Sequence, residues 1–195
     1  MRKHLYIITG ASRGLGLGLL ELLLTPENSL LCISRHDSLS SGVKAAQRGV
    51  ALTQWHADLV DGQALCEQLK HWLASLDEQI VASVTLINNA GVIPPLAPLR
   101  QSHPEDLSRA LRVGLEAPML LTAAFLAATR QWRVVRKVLN ISSGLGRRAM
   151  ASQSAYCAVK AGMDHFARCL VLDETRLDNG AKVCSLAPGI IDTDM

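Results

Sequence analysis

Short apolar runs alternate along this chain with longer stretches in which apolar side chains return every third or fourth position. The runs fall at 5–9, 30–34, 51–56, 84–88, 136–142 and 182–186. They have strand length, and most are rich in Leu, Ile and Val, as in strands covered on both faces. Helices are predicted between them at 14–24, 38–48, 61–75, 104–128 and 152–173. Thr25-Pro26 stops the first helix and Gly49 the second. Leu65, Leu69 and Leu73 give the third an apolar stripe, and Pro104 opens the fourth near its first turn. Parallel strands need a long crossover, so this alternation predicts βαβ units around a parallel sheet. The expected fold is α/β: a doubly wound parallel sheet in three layers (α/β/α), one domain over 1–195, uninterrupted by repeats or linkers. The proline-bearing loop 91–103 would sit at the C-terminal edge of the sheet, where open α/β sheets bind ligands.

Composition narrows the picture modestly. Aromatics are 4% of the chain, so the core must be built from Leu, Ala, Val and Ile. A net charge of +3 suits an anionic ligand, and basic spots such as Arg147-Arg148 are too small for a nucleic-acid footprint. Five scattered cysteines without a CxxC pair read as free thiols of a reducing, cytoplasmic compartment. The six histidines lack metal-ligand spacing, so no metal is expected. The stretch 117–128 is too short to span a bilayer, so no membrane role is expected. The apolar N-terminus runs straight into a glycine motif and reads as a first strand rather than a leader.

The glycine motif carries the first candidate chemistry. Gly10, Gly14 and Gly16 lie between the first strand and the first helix. Glycine lets the backbone turn tightly there, and the helix N-terminus offers unpaired N–H groups and a positive dipole end to a pyrophosphate. Tyr156 and Lys160 are four residues apart on a predicted helix and share a face. A free tyrosine titrates near 10, and an ammonium one turn away is expected to lower that value. There is no GxSxG elbow to support a hydrolase.

Five motifs, in order and spread over nearly the whole chain, make it similar to the short-chain dehydrogenase/reductase family. They are the TGxxxGxG pattern at 9–16, Asp58-Leu59, Asn88-Asn89-Ala90-Gly91, the YxxxK pattern from Tyr156 to Lys160, and the PGxxxT pattern from Pro188 to Thr193. The resemblance implies a Rossmann-type fold that binds NADP(H) and reduces a small-molecule carbonyl. It assigns to the cofactor Gly10, Ser12, Arg13, Gly14, Leu15 and Gly16, then Ser34 and Arg35, then Asp58 and Leu59, then Asn89, Ala90 and Gly91. Tyr156, Lys160, Pro188, Gly189, Ile191 and Thr193 complete that set. No carboxylate ends the second strand; Arg35 and Arg13 stand where a 2′-phosphate would be held, which favours NADPH over NADH. The competing reading of these arginines is plain surface charge. Ser143, Tyr156 and Lys160 match the family's catalytic serine, tyrosine and lysine. Ser142 is the alternative serine, but strand alternation points it the other way.

Within the family, Asn140–Gly144, Ser154–Cys157 and Gly114–Pro118 are similar to the sepiapterin-reductase and benzil-reductase branch, which implies an aromatic or vicinal dicarbonyl substrate. Two features depart from the pattern. Gly114 stands where the family places an asparagine that holds a relay water, with a water as partial substitute for the lost side chain. The sequence also stops at Met195, before the family's substrate-covering segment and last strand, so a fragment or truncated product is expected. A complete chain is expected to form a homo-oligomer. The alternative readings are a catalytically impaired NADPH-binding sensor or partner protein of the same fold, and a fragment that does not fold alone.

Overall fold

The computed structural model describes residues 2–189 and residue 191. Among them the strands are β1 (Lys3–Thr9), β2 (Asn28–Ser34), β3 (Ala51–His56), β4 (Val81–Asn88), β5 (Val135–Ile141) and β6 (Lys182–Leu186). All pair in parallel, in the order β3-β2-β1-β4-β5-β6. The helices are α1 (Gly14–Leu23), α2 (Leu39–Gln47), α3 (Gly62–Ala74), α4 (Pro104–Leu111), α5 (Ala117–Ala128) and α6 (Ser154–Glu174).

The sheet separates two apolar layers because side chains alternate along each strand. On one face Ile7, Leu31, Ile33, Val84 and Leu86 pack against Leu69 and Leu73 of α3 and Leu121 and Phe125 of α5. On the other, Ile8, Leu30, Cys32 and Ile87 pack against Leu20 of α1 and Ala45 of α2. The three-layer doubly wound sheet is therefore as expected. The chain leaves β1 in one direction, returns, and adds β4 on the other side. The order reverses between β1 and β4, and at the C-terminal ends of such a switch point open α/β sheets form their ligand crevice.

The predicted helix over 104–128 is broken by a π-helical turn at Arg112–Glu116. Pro118 has no N–H to return to the carbonyl four residues back. The Ala117 N–H instead reaches Arg112 O, five residues back. By length and composition alone the 25-residue stretch Pro104–Ala128 matches a membrane span, but half of its apolar window is buried, with Leu121, Ala124 and Phe125 inaccessible. It packs as a core helix.

Candidate active site

The glycine turn is shaped by contacts that leave no room for a Cβ at Gly10 or Gly16. Gly10 and Gly14 have positive φ, 70° and 55°. A Cβ on Gly16 would stand 2.1 Å from Gly10 O and 2.5 Å from Asn89 Nδ2. Gly10 N donates to Ile33 O at 2.8 Å, which ties the turn to the end of β2. Arg13 caps α1 in an extended conformation and makes no side-chain cap bond, so the first amides of the helix are not taken up by its side chain.

The segment after β4 locks onto this turn. Asn89 Nδ2 donates to Thr9 O at 2.9 Å and to Gly10 O at 3.1 Å. Thr9 Oγ1 accepts from Asn89 N at 3.0 Å and from Ala90 N at 3.1 Å. Thr9, a single hydroxyl at the end of β1, thus joins the two segments of the switch point, a role the sequence reading did not give it. Such a turn, closed to a Cβ at Gly10 and Gly16 and facing a helix N-terminus, fits a dinucleotide pyrophosphate.

At the far ends of β2 and β3 the groups are polar and mostly open to solvent. Ser34 is buried and donates from Oγ to His36 O at 2.8 Å, while Arg13 and Arg35 are exposed. Burial pushes Asp58 up, but the Arg109 guanidinium, the Val60 N–H and the Arg35 charge outweigh it and hold the carboxyl below its usual range. Its Oδ2 is 2.7 Å from Arg109 Nη2, a partner fifty-one residues away that no local signal reveals. Leu59 is buried in the core, so its side chain is not open to a ligand.

The reactive side chains meet on the other flank of the crevice. Ser143 follows β5 and is half-buried, whereas Ser142 is buried. Tyr156 lies in the first turn of α6, half-buried, with the Lys160 Nζ 5.6 Å from its ring centroid. Lys160 is 4% exposed and donates to Ile141 O at 2.7 Å. A Cβ on Gly91 would stand 3.8 Å from Lys160 Nζ, so the segment after β4 borders this group too. Burial lowers Lys160 to about 8, and the charge of Asp164 works the other way. Burial raises the Tyr156 phenol above its ordinary value, with the Ser143 hydroxyl opposing. The expected lowering of Tyr156 by Lys160 is corrected on this point: desolvation dominates, and the ammonium is engaged by a backbone carbonyl.

Gly114 has no room for a side chain's first carbon as its neighbours stand. A Cβ at that position would be 2.6 Å from Val159 Cγ1, so the valine methyl takes the space a side chain would fill. Asp164, one turn beyond Lys160, is a buried acid that the sequence reading passed over. It accepts from Ser185 Oγ at 2.5 Å and lies 3.6 Å from Arg147 Nε. An acid on the buried side of an apolar helix was a signal in the sequence. Pro188 and Gly189 are exposed beyond β6, Ile191 is half-exposed, and Thr193 lies outside the described residues.

Comparison with known proteins decides the family: the family model described as short chain dehydrogenase matches residues 4–195. The chain belongs to that family. It is an oxidoreductase by that membership. A benzil reductase ((S)-benzoin forming) from Bacillus cereus is 35% identical over 189 residues, 97% of this chain and 76% of that protein. A sepiapterin reductase from Xenopus tropicalis is 31% identical over 203 residues, 98% of this chain and 75% of that protein. Both belong to the branch the motifs resemble. A short-chain dehydrogenase/reductase structure from Burkholderia vietnamiensis superposes with TM-score 0.86 at 36% identity, covering 97% of this chain and 85% of that one. A metagenomic short-chain oxidoreductase solved in complex with NADP gives TM-score 0.84 at 25% identity, covering 98% and 84%.

Proposed function

We propose that this chain is an NADPH-dependent reductase that turns the carbonyl of a small ketone or dicarbonyl into an alcohol, with Tyr156 as the proton donor. The observation that carries the reading is the meeting of Ser143, Tyr156 and Lys160 beside Gly91, next to a glycine turn closed to a Cβ at Gly10 and Gly16. The likeness to benzil and sepiapterin reductases puts an aromatic or vicinal dicarbonyl first.

Gly10, Ser12, Gly14, Leu15 and Gly16 would hold the pyrophosphate, and Asn89, Ala90 and Gly91 would line the route to the reacting end. Ser34, Arg35 and Arg13 would take the 2′-phosphate, and Asp58 and Leu59 the adenine. Lys160 would grip the nicotinamide ribose, with Pro188, Gly189, Ile191 and Thr193 completing the site. When bound, the nicotinamide supplies the hydride that reaches the carbonyl carbon. Ser143 donates a hydrogen bond to the carbonyl oxygen and polarises it. Tyr156, protonated at neutral pH as an ordinary phenol is, gives its phenolic proton to that oxygen and is left as a phenolate. The Lys160 ammonium stabilises that phenolate below about pH 8 and loses its charge above it. The impaired-sensor reading draws on Gly114, but the three reactive side chains remain assembled.

The test is titration with NADPH and NADH by cofactor fluorescence, followed by benzil and the loss of NADPH absorbance. Selective NADPH binding with turnover is expected. Folded protein that binds neither cofactor would overturn the reading, and binding without turnover of any carbonyl in a panel would favour the sensor.

A further inference from the structure

The start of α6 is held by backbone bonds and has no side-chain cap. Its N-cap, Gln153, makes no side-chain cap bond and carries a buried Oε1 without a partner among the described residues, and the preceding Ser152 has φ 63°. Yet Tyr156 sits in the first turn of this helix, and its phenol must lie beside Ser143 on a separate loop. Something other than the cap must set where that turn stands.

Three glycine contacts lie at the right place. A Cβ on Gly146 would be 2.9 Å from both C and O of Lys160 and 3.2 Å from Ala161 N. Gly146 belongs to the turn that carries Ser143, and its N–H donates to Ser143 O at 3.0 Å. Gly114, in the π-turn, receives Val159 at 2.6 Å. In return Gly162 of α6 receives Leu115 of the π-turn, with Cδ2 3.0 Å from the position of a Cβ. Each helix thus offers one glycine and inserts one branched residue, a reciprocal interlock that fixes both height and rotation.

We propose that Gly146, Gly114 and Val159 are positioning residues that clamp the Tyr156–Lys160 turn between the Ser143 loop and the π-turn. This rests on the reductase reading for its kinetic consequence, though not for its structural one. The two sides of the clamp differ in kind. Gly146 faces backbone, which cannot swing away. Gly114 faces the end of a side chain, which can be shortened. A displacement of a few tenths of an ångström at this turn alters the Ser143–Tyr156 approach to one oxygen while leaving the glycine cradle untouched.

The test compares Gly146→Ala, Gly114→Ala, Val159→Ala and the double variant Gly114→Ala/Val159→Ala in the full chain. Turnover is measured with NADPH and benzil, cofactor affinity by fluorescence, and the Tyr156 environment by NMR of labelled tyrosine. The chain has two tyrosines, so Tyr156→Phe assigns the signal. Gly146→Ala and Gly114→Ala are each expected to lower kcat by about tenfold or more with NADPH affinity held within about twofold, and to displace the Tyr156 resonance. Adding Val159→Ala returns both kcat and the resonance for Gly114→Ala, and does neither for Gly146→Ala. An unmoved Tyr156 resonance in folded Gly146→Ala and Gly114→Ala, or a double variant as displaced as Gly114→Ala alone, would overturn the proposal. Because the resonance needs no turnover, an unmutated chain inert toward benzil would count against the reductase reading while the clamp is still decided.

Discussion

The two flanks of the crevice are built by opposite means. Around β1 and β4 the site is made largely from backbone, with glycine where a Cβ would not fit. Gly16 leaves no room for a methyl, and Asn89 and Thr9 spend their polar atoms on the loop rather than on a ligand. Around α6 the site is made from three side chains, one of them a buried lysine tied to a carbonyl. The first flank suits shape and charge recognition, which tolerates exchange of outer residues. The second depends on individual atoms. Damage to the first should appear as lost affinity, and damage to the second as lost turnover.

The largest effect that separates them is Tyr156→Phe. It is expected to lower kcat by about a thousandfold with cofactor affinity nearly unchanged, in steady-state kinetics beside a fluorescence titration. Equal losses in both quantities would break the division. Gly16→Ala should do the reverse. Its methyl would meet Gly10 O, so NADPH affinity should fall about a hundredfold, near 2.7 kcal/mol, in the same titration. Lys160→Met sharpens the contrast through pH. The folded pKa of Lys160 is depressed to about 8, so between there and its unfolded value the unfolded chain binds the extra proton, and stability rises with pH. Over that window the unmutated chain should gain on Lys160→Met by about 1 kcal/mol per pH unit in urea melts, and parallel curves would contradict the burial of a charge. The smallest effect is at the open edge. Arg35→Ala should weaken NADPH by about fivefold to tenfold and leave NADH unchanged, and equal losses for both would make Arg35 ordinary surface charge.

Much of this was readable in the chain because two periodicities were strong. The apolar runs predict every strand of the sheet, but the observed β1, β2 and β4 begin earlier, at Lys3, Asn28 and Val81. Their first residues are polar or mixed, and pairing with a neighbour extends them where the apolar run has not yet begun. The glycine turn was legible because glycine has few other uses between a strand and a helix. The π-turn was not. Gly114 and Pro118 were visible, but the effect of the glycine depends on Val159 reaching it from another helix. Arg109 with Asp58 is a similar case, a pair set by tertiary packing alone. The Tyr156–Lys160 spacing was plain, whereas the direction of the tyrosine shift was misread because burial, which no spacing reports, outweighs the neighbouring charge.

The central claim, that Tyr156 protonates a carbonyl while hydride arrives from NADPH, is tested most directly by isotope transfer. NADPH carrying deuterium at its transferable position is incubated with benzil and the chain, and the product is read by mass spectrometry. The account predicts an alcohol with deuterium on the new carbinol carbon, and about a thousandfold less of it in the same time from Tyr156→Phe protein that still binds NADPH. Unlabelled alcohol, or undiminished labelled product from Tyr156→Phe, would contradict it.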